Sequence, residues 1–255
     1  MALRFASLGS GSSGNGLVVE CGATRVLMDC GFALGDTAFR LGRLGLAPGD
    51  LSAIVVTHEH TDHLGGVARF AKRHAIPVHL TKGTALTLPL DFPATLVRFI
   101  DPHAAFDVEG LLVEPFPVPH DAREPVQYTF TDGVRRAGLL TDAGECSEVI
   151  LAALSGLHAL VLECNHDAQM LQQGSYPAFL KARIAGARGH LSNLQAADIL
   201  QRIDRQHLGW VAAAHLSRSN NRPDLAKEAL ASVLDCVPID VDVADQDNGL
   251  PWREV

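Results

Sequence analysis

Three imidazoles and a carboxylate fall within six positions of Thr57-His58-Glu59-His60-Thr61-Asp62-His63, in the order H-x-H-x-D-H. Neutral imidazole and carboxylate are the side chains that bind zinc and related divalent ions, and four of them this close make metal binding the natural chemistry. A solubilising polar strand end does not account for four ligand types in six positions. If the segment runs extended, His58 and His60 lie on one side, because side chains alternate, and both can grip one ion. Asp62 and His63, on the turn into the next helix, can point to a second. Glu59 and Thr61 then face the other way, as supporting or structural groups.

Six residues cannot close two metal sites, so further ligands must come from elsewhere. Three polar residues directly follow apolar, strand-like runs: His120 after Phe116-Pro117-Val118-Pro119, Asp142 after Ala137 to Thr141, and His215 after Trp210 to Ala214. Taken singly, each is as easily an ordinary polar strand end. Together with the first motif they bring the set to five histidines and two aspartates, enough for a two-metal site.

The elements that must hold these residues are short strands alternating with helices. Strands are expected at Arg4–Leu8, Leu17–Glu20, Arg25–Met28 and Ala53–Thr57, then at Leu111–Val118, Val126–Phe130, Arg136–Thr141, His158–Glu163, Trp210–Ala214 and Ile239–Val243. A helical stretch lies near Thr37–Leu44. Another runs over Gly65–His74, where Val67, Phe70 and Ala71 recur at helical spacing with Pro77 beyond. Mixed strands with helices able to cover both faces favour a layered α/β sandwich. Both halves run strands into ligand-type residues and then helices, a weak sign of duplication. No linker long enough to separate two domains interrupts the chain, so residues 1–255 read as one domain.

At 255 residues, 47% hydrophobic and 20% charged, the composition is that of an ordinary globular chain able to build its core without staples. Five cysteines without a C-x-x-C pair fit buried thiols in a reducing compartment, and no apolar stretch approaches a membrane span; a cytoplasmic protein is expected. The net charge of −8 argues against a nucleic-acid coat protein. Ala178–Arg222 nevertheless carries seven basic residues against two acidic ones. On charge alone, a solvated face and a phosphate-facing surface are equally good readings.

The order H-x-H-x-D-H, then His120, Asp142 and His215, resembles the metallo-β-lactamase superfamily over nearly the whole chain. The resemblance implies a four-layer αββα sandwich, with two mixed sheets flanked by helices and a dinuclear site at one edge. It implies that His58, His60 and His120 hold one metal, that Asp62, His63 and His215 hold the other, and that Asp142 bridges them. Asp29, ending an early strand, matches the family's first aspartate motif, which supports the ligands from behind. An aspartate at 142, where many class B β-lactamases have cysteine, suits phosphoesters and thioesters, with Zn²⁺ by default and Mn²⁺ or Fe as alternatives.

Glu163 in Leu162-Glu163-Cys164-Asn165-His166-Asp167 and His190 in Gly189-His190-Leu191-Ser192-Asn193 resemble the proton-transfer pair of the superfamily's phosphodiesterase branch. By spacing alone they are equally a buried acid and a helix-start residue. The whole pattern, from Gly9-Ser10-Gly11-Ser12-Ser13-Gly14-Asn15 through Pro119-His120-Asp121-Ala122 to Gly189–Asn193, is most similar to the WalJ/YycJ-like group. That implies an exonuclease acting on DNA, double-stranded and 5′-to-3′, by attack of metal-activated hydroxide on phosphorus with His190 protonating the leaving oxygen. Catalysis would then fall to Asp62, Glu163 and His190. The spacing from Asp142 to His215 leaves no room for the domain that β-CASP nucleases insert.

For substrate contacts the candidates are Ser10, Ser12 and Asn15 in the Gly/Ser loop, together with Asn193, Arg188 and Arg218. The loop reads equally as a phosphate cradle or a plain tight turn. His166 is either a support for the site or a surface histidine. A small-molecule hydrolase of the same fold, acting on a cyclic phosphodiester or a thioester, is the alternative that the acidic total charge suits.

Overall fold

The computed structural model describes residues 2–255. One sheet is built from β1 (Leu3–Gly9), β2 (Gly16–Cys21), β3 (Thr24–Met28), β4 (Ala53–Val55), β5 (Val78–Leu80), β6 (Val97–Phe99) and the late strand β14 (Leu250–Glu254), in the order β14-β1-β2-β3-β4-β5-β6. The other contains β7 (Phe106–Val108), β8 (Leu111–Pro117), β9 (Val126–Thr131), β10 (Arg136–Leu140), β11 (Ala159–Glu163), β12 (Trp210–Ala214) and β13 (Asp242–Val243), lying side by side in reverse sequence order. Each sheet makes three antiparallel pairings and then three parallel ones. This shared plan is the structural counterpart of the repetition suspected in the sequence.

Strand alternation builds the layers. In β3, Val26 and Met28 enter the core between the sheets, while Leu27 faces outward onto helices. In β11, Ala159 and Val161 point between the sheets and Leu160 and Leu162 outward. The first outer layer contains α1 (Leu34–Arg43) and α3 (Val67–His74), which bury Leu41 and Val67, Phe70 and Ala71. The second contains α5 (Glu148–Leu154), α8 (Asn193–Arg202) and α9 (Pro223–Leu234), anchored by Ile150, Ile199 and Leu230. Short α2 (Thr61–Leu64), α4 (Lys82–Ala85), α6 (Ala168–Gln173) and α7 (Ala178–Ile184) complete the chain. Strands buried on both faces read as continuous apolar runs, which is why β4, β11 and β12 stand out in the sequence. The expected αββα sandwich is the observed architecture.

Two departures from the sequence reading have local causes. Ile239–Val243 does not form a five-residue strand: Pro238 opens a 3₁₀ turn over Pro238–Asp240, Ile239 is exposed, and only Asp242 and Val243 pair. Edge strand β14 falls outside every expected strand because Pro251 and two charged residues hide its pattern. It is seated where Gly249, at φ +69°, passes so close to Ser7 that a Cβ would lie 1.9 Å from the Ser7 carbonyl oxygen.

Tyr128 in β9, wholly buried between the sheets, donates from Oη to the Val56 carbonyl at 2.8 Å, tying the second sheet to the residue just ahead of Thr57 and His58. Tyr128→Phe keeps the ring and removes only this bond. The expected cost is about 1 kcal/mol, a fall of roughly 2–4 °C in calorimetric Tm. An unchanged Tm would mean that the bond does not stabilise the junction.

Candidate active site

Parallel strands bring their C-terminal ends to one edge of the sandwich, and the polar residues collect there. Asp29 follows β3, Thr57 and His58 follow β4, Asp142 follows β10, Glu163 ends β11, and His215 follows β12. Asp29, Asp142 and His215 adopt left-handed backbone conformations, at φ 60°, 54° and 55°. Each non-glycine residue held there costs on the order of 1 kcal/mol, and half of the six such residues described lie at this one edge. The turn bearing Asp62 and His63 is pressed against the chain at Gly31, where any Cβ would overlap the Asp62 carbonyl.

Ligand atoms gather in overlapping sets, each within 4.8 Å: His58, His60 and His120; Asp62, His63 and His215; His58, His63 and Asp142; and Asp142, Glu163, His190 and His215. Most of the imidazoles are held by one nitrogen so that the other faces the centre. His63 Nδ1 donates to Asp29 Oδ2 at 2.8 Å. Thr57 Oγ1 donates to the same carboxylate at 2.9 Å, so His58 Nδ1, also 2.9 Å from that hydroxyl, is its donor. His120 Nδ1 donates to the Gly189 carbonyl at 3.0 Å, and His215 Nδ1 to Glu163 Oε1 at 3.1 Å. These bonds hold Nδ1 at the back of each ring and turn Nε2 towards the centre. His60 is turned the other way, with Nδ1 3.3 Å from His120 Nε2 and Nε2 3.7 Å from Asp121 Oδ1.

Whether these residues fit divalent ions is tested by what they leave unsatisfied. His58 Nε2, His215 Nε2 and Asp142 Oδ2 are buried with no hydrogen-bond partner. Buried polar atoms of this kind are rare and costly, and three of the six among the described residues belong to the facing donor sets. Mixed imidazole and carboxylate donors suit zinc, iron or manganese. Burial, reinforced by the neighbouring His63, drives His58 well below the usual imidazole range, into the neutral form that coordinates. His63 and His215 are raised instead, because Asp142, with Asp29 beside the one and Asp62 and Glu163 beside the other, outweighs burial, so each gives up its Nε2 proton to coordinate an ion. Asp142 stays ionised although burial opposes it, because His215 and His63 hold its carboxyl well below the usual range.

Glu163 is fully buried. Its Oε1 accepts from His190 Nδ1 at 2.8 Å and from His215, while Oε2 accepts the Ala143 and Leu191 amides at 3.1 Å each. Burial would raise its carboxyl, but His190 and His215 hold it low. For His190, burial opposes the cation, and Glu163 and Asp142 outweigh it, so the imidazole is raised. His190 lines a cavity of about 210 Å³ together with Ser12, His60, Asp62, Asp142 and His215.

The remaining sequence candidates sit differently. The Gly/Ser loop is a self-satisfied turn rather than an open cradle: Gly11 N–H donates to Asn15 Oδ1, Ser13 N–H to Gln246 Oε1, and Gly14 N–H to the Gly11 carbonyl. Only Ser12 of its three polar candidates borders the cavity. Ser10 Oγ accepts the His215 amide at 3.0 Å and braces the cluster from behind, whereas Asn15 Nδ2 lies 3.3 Å from Asp62 Oδ2 and 3.1 Å from His63 Nε2, against the donor atoms themselves. Asn193 is buried and exchanges hydrogen bonds with Asn221. Arg188 and Arg218 are exposed and lie outside the cavity wall, with Arg218 paired to Asp247 at 2.7 Å. His166 is buried, its Nδ1 without a partner. Glu59 accepts the Arg123 amide at 2.8 Å, bracing the loop after His120. Sequence reasoning gave no site role to Asp121, met only as part of the pattern around His120, or to Arg183, met only among the basic residues of Ala178–Arg222; both stand in the cavity wall.

Residues 24–210 match the family model of the β-lactamase superfamily domain. The chain belongs to that superfamily. Its relatives include exodeoxyribonuclease YycJ of Bacillus anthracis, 35% identical over 241 residues that cover 92% of this chain and 90% of the relative. Exodeoxyribonuclease WalJ of Streptococcus pneumoniae serotype 2 is 30% identical over 240 residues, 92% and 89% of the two chains. These place the chain with the WalJ/YycJ-like members of the superfamily. Among solved structures, the metallo-β-lactamase fold protein YhfI of Bacillus subtilis superposes over the full length of both chains with a TM-score of 0.75 at 15% identity. A diphosphatase of the PhnP family gives 0.70 at 20% identity, over 100% of this chain and 98% of its own. Both share the superfamily fold.

Asp29 touches His63 and Thr57 but has no place in any of the four donor sets, so Asp29→Asn tests orientation alone. Competition with a chromophoric chelator should show metal affinity reduced roughly 10- to 100-fold, with the far-ultraviolet circular dichroism unchanged. Unaltered affinity would reduce Asp29 to a polar strand end.

Proposed function

We propose that the protein is a dinuclear metal-dependent phosphodiesterase, an exonuclease on DNA. The observation that carries this reading is the Glu163–His190 pair set beside two facing donor sets in one cavity. His58, His60 and His120 would hold one ion, Asp62, His63 and His215 the other, with Asp142 between them. Divalent cations bound there would polarise a phosphoryl group and make water acidic enough to attack it near neutral pH. The relatives named exodeoxyribonucleases support DNA as the substrate class.

In this reading the chain's own contribution is proton supply at the leaving oxygen. His190 spends Nδ1 on Glu163 and keeps Nε2 for the substrate. Water gives up a proton to solvent as it adds to phosphorus, the bond to the leaving oxygen breaks, the Nε2 proton of His190 neutralises the departing alkoxide, and solvent returns a proton to His190 for the next turnover. Glu163 stabilises the imidazolium before transfer and fixes its ring. Since the same Oε1 also holds His215, donor and centre are set at a fixed spacing by one atom.

Elemental analysis after gentle purification should find about two equivalents of metal, one for each three-residue donor set. His215→Ala should lose one of them. A single tightly bound ion, unchanged in the variant, would make the enzyme mononuclear. His190→Ala should keep both ions and lose roughly 10²- to 10⁴-fold in rate on a diester with an alkoxide leaving group. On a nitrophenyl diester, whose leaving group needs little protonation, much more activity should survive. Equal losses on both substrates would make His190 a positioning residue.

A further inference from the structure

Arg183 on α7 is the single arginine or lysine in the wall of the active-site cavity among the described residues. It is not committed to the fold: its side chain is 63% exposed, and α7 buries none of its residues. Its Nε and Nη2 converge on one oxygen, Asp121 Oδ2, at 2.7 Å each. The other oxygen, Oδ1, faces His120 Nε2 at 3.4 Å and His60 Nε2 at 3.7 Å. The guanidinium thus stands over the donor cluster on a partly exposed carboxylate. Leu180 and Ile184, one turn apart on the same helix, add apolar wall beside it.

A guanidinium that meets one carboxylate oxygen through Nε and Nη2 has the donor fork that grips a phosphate through two oxygens. We propose that Arg183 exchanges Asp121 for the phosphate next to the scissile one on a bound strand, with the sugar and base between those phosphates resting on Leu180 and Ile184. Arg183 is then the residue that selects a polynucleotide over an isolated phosphodiester. The inference rests on the nuclease reading and adds to it the contact that makes a neighbouring nucleotide matter. The α7 rim is held at its working distance by the backbone: His190 N–H donates to the Ile184 carbonyl at 2.8 Å, and a Cβ on Gly189 would sit 2.2 Å from that oxygen. Arg183 and His190 are therefore carried by one continuous piece of chain.

The test uses the metal-loaded enzyme on two substrates: an oligodeoxynucleotide, and bis(4-nitrophenyl) phosphate, which has no neighbouring phosphate. Arg183→Ala should raise KM for the oligonucleotide about 10-fold or more, leave its kcat within about two-fold, and leave both constants on the small diester within about two-fold. The slope of log(kcat/KM) against log[salt] on the oligonucleotide should become shallower by about one. Arg183→Lys should recover only part of the loss, because an ammonium lacks the paired donors. Equal losses on both substrates, or a loss confined to kcat, would overturn the proposal and make Arg183 a support of the centre. A wild-type enzyme that cleaves DNA with Arg183→Ala unchanged in KM defeats this inference alone. A wild type that hydrolyses the small diester but no nucleic acid defeats the nuclease reading and this inference with it.

Discussion

Burying a carboxylate is tolerated only when its charge and lone pairs are answered, and Glu163 shows how far this chain goes to answer one. Two imidazoles occupy one oxygen and two backbone amides the other. Those partners come from the residue after Asp142, from the segment 190–191 and from the end of β12. One side chain thereby sets the spacing between Asp142, His215 and His190. Removing it would leave two imidazoles and two amides unsatisfied in a dry interior, so its loss would disturb the site as a whole rather than one role in it.

Glu163 can do this because of the sheet topology. β10, β11 and β12 are parallel neighbours, so their C-terminal ends fall side by side, and β3 and β4 do the same in the other sheet. Left to extend, those ends would carry Asp29, Asp142 and His215 past one another. The left-handed conformation at all three turns the chain back at the edge, and the backbone energy lost there is recovered in hydrogen bonds and closely set donors. Asp29 illustrates the economy: it turns the chain after β3 while accepting from His63 and Thr57.

What could be read from the sequence follows the same physics. β11 and β12 show as apolar runs because both faces are covered, and the metal-type residues show because few other chemistries place three histidines and an aspartate so close. Three-residue strands such as β5 and β6 carry too little pattern to stand out, and their pairing is decided by neighbours distant in sequence. The Gly/Ser loop was half legible: its composition announces a tight turn, but only the structure reveals that Gln246, more than two hundred residues on, takes up one of its amides and one of its carbonyls. Arg183 was given no site role because its partner Asp121 lies 62 positions away, and a count of charges does not say which of them face a cavity.

That last point bears on how an acidic chain handles a polyanion. Four of the seven basic residues in Ala178–Arg222 are already matched: Arg183 to Asp121, Arg202 to Asp198, Arg218 to Asp247 and Arg222 to Asp224. The basic stretch therefore presents less field than its composition suggests, and the net charge of −8 works against long-range attraction of a phosphate backbone. In the proposed nuclease, recognition is short-ranged, made by groups in contact with the strand after it arrives. An arginine parked on an acid at the cavity wall suits that regime: it cancels a charge while the cavity is free and changes partner only when a phosphate reaches hydrogen-bonding distance.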